Sequence, residues 1–218
     1  MERVYPWCPE KFKGSIEKKR AINEYFKKLQ YPMETLAKAP SDRTLKAVDS
    51  VLDLLFKNKW VFAASSSSRL LQALALICPV THTFTLQKAS RNVTTGDLIH
   101  LLLRDVSGFE NEAMYVNEWD RIRRAGLLVW VDIPGRVPGS DKFSGRFASL
   151  LNNRILQKKP VLATAAYRGR LPKDGVNYLM THVEAAIGGG AASAIQEMCV
   201  FKDFVVGDDE ASFGREVI

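Results

Sequence analysis

Four consecutive serines, Ser65-Ser66-Ser67-Ser68, follow the apolar run Trp60-Val61-Phe62-Ala63-Ala64 and precede Arg69-Leu70-Leu71-Gln72-Ala73-Leu74-Ala75. A buried strand, a small-residue loop and a helix in that order form the layout in which backbone N–H groups and a helix N-terminus cradle phosphates. Ser68 would supply a hydroxyl for Mg²⁺. Asp132, at the end of the apolar run Leu127-Leu128-Val129-Trp130-Val131, would add a carboxylate that holds the ion directly or through water. Thr164-Ala165-Ala166 closes another apolar run, where a polar residue would meet a γ-phosphate. The plainer reading of these residues is a helix N-cap at the serines and a turn cap for Pro134-Gly135 at Asp132.

Two sets of cations offer a different chemistry. Lys18-Lys19-Arg20, with Lys27-Lys28, lies on the polar face of an amphipathic helix, and Arg168, Arg170 and Lys173 follow a strand in a loop. Both sets suit phosphate contact without base specificity, and solvated surface is the plainer reading of the first. Arg121, Arg123 and Arg124 precede the central strand and suit a neighbouring subunit or water. His82, His100 and His182 lack ligand spacing, so no metal site is expected. Cys8, Cys78 and Cys199 form neither a CxxC pattern nor a bridge set, and Cys78 and Cys199, in or beside apolar runs, read as buried thiols.

These groups need elements to hold them. Residues 1–40 are helical in pattern, with Phe12, Ile16, Ile22, Tyr25, Phe26 and Leu29 at helical spacing. Ser41 or Asp42 caps a second helix with the stripe Leu45, Val48, Leu52 and Leu55, closed by Lys57 and Lys59. Short apolar runs then alternate with helical patterns. Strands are predicted at Trp60–Ala64, Thr81–Leu86, Leu127–Val131, Pro160–Thr164 and Val200–Val206. Helices are expected after Ser68, from Thr94 or Thr95 through Leu103, around Trp119–Ala125, over Phe143–Ile155, and on either side of Gly188-Gly189-Gly190. This alternation predicts a mostly parallel, doubly wound sheet over residues 41–206, followed by a frayed acidic tail at 207–218.

Composition excludes other classes. At 218 residues, with 46% hydrophobic and 25% charged, the chain is neither disordered nor a disulfide scaffold. It contains no uninterrupted apolar run of the ~18–20 residues that a membrane span needs. Its first residues lack the apolar core of a secretory signal, so a cytoplasmic protein is expected. A net charge of +7 favours an acidic partner, nucleic acid first.

From about residue 45 to 206 the sequence resembles the AAA+ core of the DnaC/IstB-type helicase loaders and transposition ATPases. Ser66-Ser67-Ser68-Arg69-Leu70-Leu71-Gln72-Ala73-Leu74-Ala75 resembles the family's GKT/S-x-L-x-x-A-L-A. Val93-Thr94-Thr95-Gly96-Asp97-Leu98, Gly126 to Gly135, Leu150–Arg154 with Lys159–Thr164, and Ser193–Cys199 resemble its later motifs in order. The resemblance implies an α/β, P-loop NTPase-like (AAA+/ASCE) fold, with a parallel five-stranded sheet between helices and an N-terminal helical segment. It places a nucleotide site on Ser65, Ser66, Ser67, Ser68 and Asp132.

The departures matter most. Ser67 stands at the Walker A lysine, Ala64 and Ser66 at the loop glycines, and Ile133 at the Walker B glutamate. Ala166 stands at the sensor asparagine and Ala194 at the arginine finger. Without lysine, base and finger, hydrolysis should fall to near nothing, since the finger alone contributes roughly 10³–10⁵ in rate. The expectation is therefore a non-catalytic adaptor of replication or transposition, possessing no cofactor beyond residual ATP or ADP binding. Its implied partners are a replicative helicase, an initiator, a transposase or an intact AAA+ homologue, with DNA and oligomers as further options. The alternatives are a slow ATPase using Ser68, Asp132 and Arg69, or a basic DNA-binding α/β protein.

Overall fold

The computed structural model describes residues 41–106, 112–133, 140–172, 174–204 and 215–217. The helical pattern of residues 1–40, with Lys18, Lys19 and Arg20, lies outside them, as do Lys173 and residues 134–139 and 205–214. The chain runs α1 (Asp42–Phe56), β1 (Trp60–Ser65), α2 (Ser68–Leu86), β2 (Ser90–Thr94), α3 (Thr95–Val106) and α4 (Glu112–Arg124). It continues through β3 (Leu127–Val131), a 3-10 turn at Ser140–Phe143, α5 (Ser144–Leu156), β4 (Val161–Ala166), α6 (Gly175–Ile187), α7 (Gly189–Met198), β5 (Cys199–Phe204) and β6 (Arg215–Val217).

One sheet holds the strands in the order β2-β3-β4-β1-β5-β6. The first five are parallel, as expected. The expected frayed tail is corrected at Arg215–Val217, which pairs antiparallel with β5 as a sixth, edge strand. Parallel strands buried on both faces need continuous apolar runs, and β1 is buried along its whole length. One core layer joins Trp60, Phe62, Trp130 and Phe147 to α3, α5, α6 and α7, and the opposite layer packs Val61, Ala63, Val129 and Leu162 against α1 and α2. Trp130 meets Phe147 edge-on at 5.6 Å and donates its indole N–H to Thr95 Oγ1 at 3.1 Å. Ser41 caps α1 by accepting the Thr44 N–H. Thr94 and Asp97 exchange side-chain and backbone bonds across the first turn of α3, a reciprocal capping box.

The expected strand at Thr81–Leu86 is also corrected: these residues are the last turns of α2, and the second strand is Ser90–Thr94. The strand expectation rests on the alternation of Thr81-His82-Thr83-Phe84-Thr85-Leu86, which the helix overrides. A proline inside a helix removes one N–H and leaves the carbonyl four residues earlier without its partner. That carbonyl, Ala75 O, is taken by Asn92 Nδ2 of β2 at 2.6 Å. Ser90 Oγ donates to Pro79 O at 3.1 Å and accepts from Thr83 at 2.8 Å, so β2 supports the helix on both sides of the proline. Asn92→Ala is expected to destabilise the domain by about 1–2 kcal/mol, because Ala75 O is then buried without a partner. In a Pro79→Ala background the cost falls to a few tenths, about 0.5 kcal/mol or less, and a four-protein urea-unfolding cycle reads the coupling.

Among the described residues, α2 is long and apolar enough to cross a membrane by composition, but 61% of its apolar window is buried inside the domain, as in a core helix.

Candidate nucleotide-type site

The carboxyl ends of the parallel strands carry the residues with nucleotide chemistry. β1 ends at Ser65 and α2 begins at Ser68, so only Ser66 and Ser67 join them. A phosphate-wrapping loop of the G-x-x-x-x-G-K-[ST] kind spans roughly eight residues. Two of the four serines have their side chains already engaged locally. Ser65 is buried in the strand, donates its hydroxyl to Phe204 O at 2.7 Å and accepts the Ser67 N–H at 3.0 Å. Ser67 is the N-cap of α2 and accepts the Leu70 N–H at 3.3 Å. Ser66 and Ser68 are exposed, as is Arg69 in the first turn of α2.

Two residues that sequence reasoning missed complete the site. Tyr167 follows β4, donates its backbone N–H to Ser65 O at 3.2 Å and its phenol to Asp203 Oδ1 of β5 at 2.7 Å. Because β1 lies between β4 and β5, this side chain crosses the end of β1, where a phosphate loop would depart. Burial and the Asp203 hydrogen bond hold the phenol above the ordinary tyrosine range, so it stays protonated. Asp203 pairs in register with Ala64, which belongs to the core layer on the face opposite α2. The sequence signal was available only with the strand order, which aligns the ends of β4, β1 and β5.

Asp132 lies beyond β3, two strands from Ser65 in the sheet order. Its φ of 50° is in the left-handed region, which aspartate tolerates better than most residues. Its N–H donates to Thr164 Oγ1 at 2.9 Å, and Oδ1 accepts the Ala166 N–H at 3.3 Å, which ties the end of β3 to β4. Ile133, at the position resembling the Walker B glutamate, is buried in the core, as is Ala194 of α7. With a two-residue join between β1 and α2, Ser65 and Ser67 bonded within it and no lysine among the four serines, the residues present do not fit a Mg²⁺-triphosphate.

Arg168 and Arg170 are exposed in the loop after β4. The structure keeps them on the same rim as the serines. Arg121 pairs with Glu118 at 3.2 Å, while Arg123 and Arg124 pair with Asp120 at 3.6 and 3.0 Å, so part of that charge is satisfied within α4. His100 and His182 are exposed and His82 is buried; Cys78 is buried and Cys199 half-buried, both free thiols. No group of three metal-ligating side chains occurs among the described residues.

The sheet order and the parallel crossovers give an α/β, P-loop NTPase-like fold. Within that class the fold is that of the DnaC-type AAA+ domain. The DnaC helicase loader superposes with a TM-score of 0.57 at 16% identity, over 78% of this chain and 94% of that one. DnaI gives 0.51 at 14%, over 80% and 94%. AMPPCP-bound DnaA from Aquifex aeolicus gives 0.54 at 13%, over 80% of this chain and 50% of DnaA. No protein-family model and no curated protein matches the chain by sequence.

Proposed function

We propose that this chain is a non-catalytic AAA+-type adaptor of DNA replication or transposition, acting in the cytoplasm and binding a protein partner instead of turning over nucleotide. The observation that carries the reading is the closed end of β1: a two-residue join to α2, Ser65 bonded to Phe204, and Tyr167 bridged to Asp203 across it. The fold shared with helicase loaders and a replication initiator supports the process. A replicative helicase, a transposase or an intact AAA+ homologue is the partner class it favours, the last supplying at a shared interface the charges missing here.

Calorimetric titration of the purified chain with MgATP is expected to show no saturable binding up to millimolar nucleotide. Turnover should not exceed a contaminant control and should be unchanged by Asp132→Ala. Saturable binding, or turnover abolished by Asp132→Ala, overturns the reading in favour of an altered ATPase. Ser67→Lys alone is not expected to create binding, because it adds charge without lengthening the loop. Affinity capture with mass spectrometry then chooses among helicase, transposase and AAA+ homologue as the main prey.

A further inference from the structure

The opposite rim of the sheet, where the parallel strands begin, carries its own chemistry. Lys57 and Lys59 precede β1, Lys88 precedes β2, Arg123 and Arg124 precede β3, and Lys158 and Lys159 precede β4. In the sheet order β2-β3-β4-β1 these cations form a row across four adjacent strands. The backbone repeats the arrangement. Three of the preceding helices end in a turn with one residue in the left-handed region, Asn58, Gln87 or Lys158, and a lysine follows it each time.

Side chains draw the row together. Lys159 Nζ donates to Arg124 O at 3.1 Å, and Lys88 Cβ lies so close to Gly126 that a methyl group there would sit 2.6 Å from it. Beneath them Arg154, 0% exposed, donates to Ala125 O, Gly126 O and Pro160 O at 3.0, 3.4 and 2.7 Å. Among the described residues no ion pair neutralises Lys57, Lys59, Lys88, Lys158 or Lys159. Burial first, then Arg154, Lys88 and Arg124, lowers the pKa of Lys159, as expected where cations face one another.

Lysines suit helix C-termini, each of which carries about half a negative charge. Four helices end at this rim, and Asp120 and Asp53 add two carboxylates. Set against seven cations, they leave an excess of roughly three positive charges.

We propose that this N-terminal rim binds the phosphodiester backbone of a nucleic acid through Lys57, Lys59, Lys88, Arg124, Lys158 and Lys159. Four strands at ~4.8 Å spacing span about 15 Å, over which one strand of a duplex presents about four phosphates. Protein-binding surfaces deplete charge at their centre and enrich aromatics; here Leu156 is the large apolar side chain exposed beside the row. The contact is sequence-independent and salt-sensitive. It lies on the rim opposite Arg168 and Arg170 and stands independently of the adaptor reading, since no nucleotide site enters it.

The test is fluorescence anisotropy of the full chain with a labelled oligothymidylate, a DNA duplex and an RNA of equal length, against salt. A Lys57, Lys59, Lys88 and Lys158→Gln quadruple variant alters exposed side chains only. It is expected to lose roughly 10²-fold in single-strand affinity near 0.1 M salt and to flatten the log–log salt slope by about three. The same four lysines changed to Arg should retain binding, and the strongest of the three probes identifies the source of the phosphates. The proposal is overturned if the Gln variant, folded by circular dichroism, binds like the parent, or if only an Arg168 and Arg170→Gln variant loses binding. Absence of nucleic-acid binding at low salt, with or without binding to polyglutamate, overturns it as well.

Discussion

Arg154→Ala is expected to destabilise the folded domain by about 3–5 kcal/mol, among the larger effects a single substitution produces. Its guanidinium lies in the core with three backbone carbonyls as hydrogen-bond partners. Those carbonyls belong to the residues that lead into β3 and β4, so one side chain closes the entry to two central strands. Removing it leaves buried acceptors unpaired at about 1–3 kcal/mol each, partly relieved by entering water, and opens a cavity. Burial pushes the guanidinium down to about 10, which still leaves it charged at neutral pH. Arg154→Lys should recover about half the loss, because an ammonium lacks the planar fork that reaches two strands. Thermal unfolding reads both, with a fall of roughly 10 °C for the alanine variant.

Acidification gives the second large effect. His82 is buried, stacks on Phe56 of α1 at 5.9 Å and leaves Nδ1 without a partner. Burial first, then Lys88 and Arg154, lowers its pKa from 6.5 to about 4. The imidazole is therefore neutral in the fold but takes a proton in the unfolded chain below pH 6.5. Its contribution is fully present above pH 6.5 and is lost as pH falls toward 4, amounting to about 3 kcal/mol. His82→Phe keeps the stacking and should flatten the stability profile across that window by this amount. An unchanged profile in urea unfolding at pH 7, 5.5 and 4 contradicts the assignment. Arg154→Met should move the histidine midpoint upward, since one of its two cationic neighbours is removed.

Much of the fold was legible because parallel strands write continuous apolar runs. Trp60–Ala64, Leu127–Val131 and Pro160–Thr164 are strands within a residue or two of expectation, and Ser41 caps α1. β2 was illegible for a local reason: Ser90-Arg91-Asn92-Val93-Thr94 is short and polar, while Thr81–Leu86 alternates like a strand yet belongs to a helix. Arg154 had a signal, standing one turn beyond Leu150 and Leu151 and two beyond Phe147 on the apolar stripe of α5. A charge in that register must be buried with partners.

Residue types alone determined that no lysine stands among Ser65–Ser68 and that Asp132 is followed by isoleucine and not by glutamate. They also settled the alternation of elements, because burial on both faces of a sheet demands apolar runs. Only the tertiary structure decided that two residues join β1 to α2, that Tyr167 reaches Asp203 across them, and that lysines from separate turns form one row. These relations join residues far apart in the chain, and strand order, a product of packing, brings them within reach of one another.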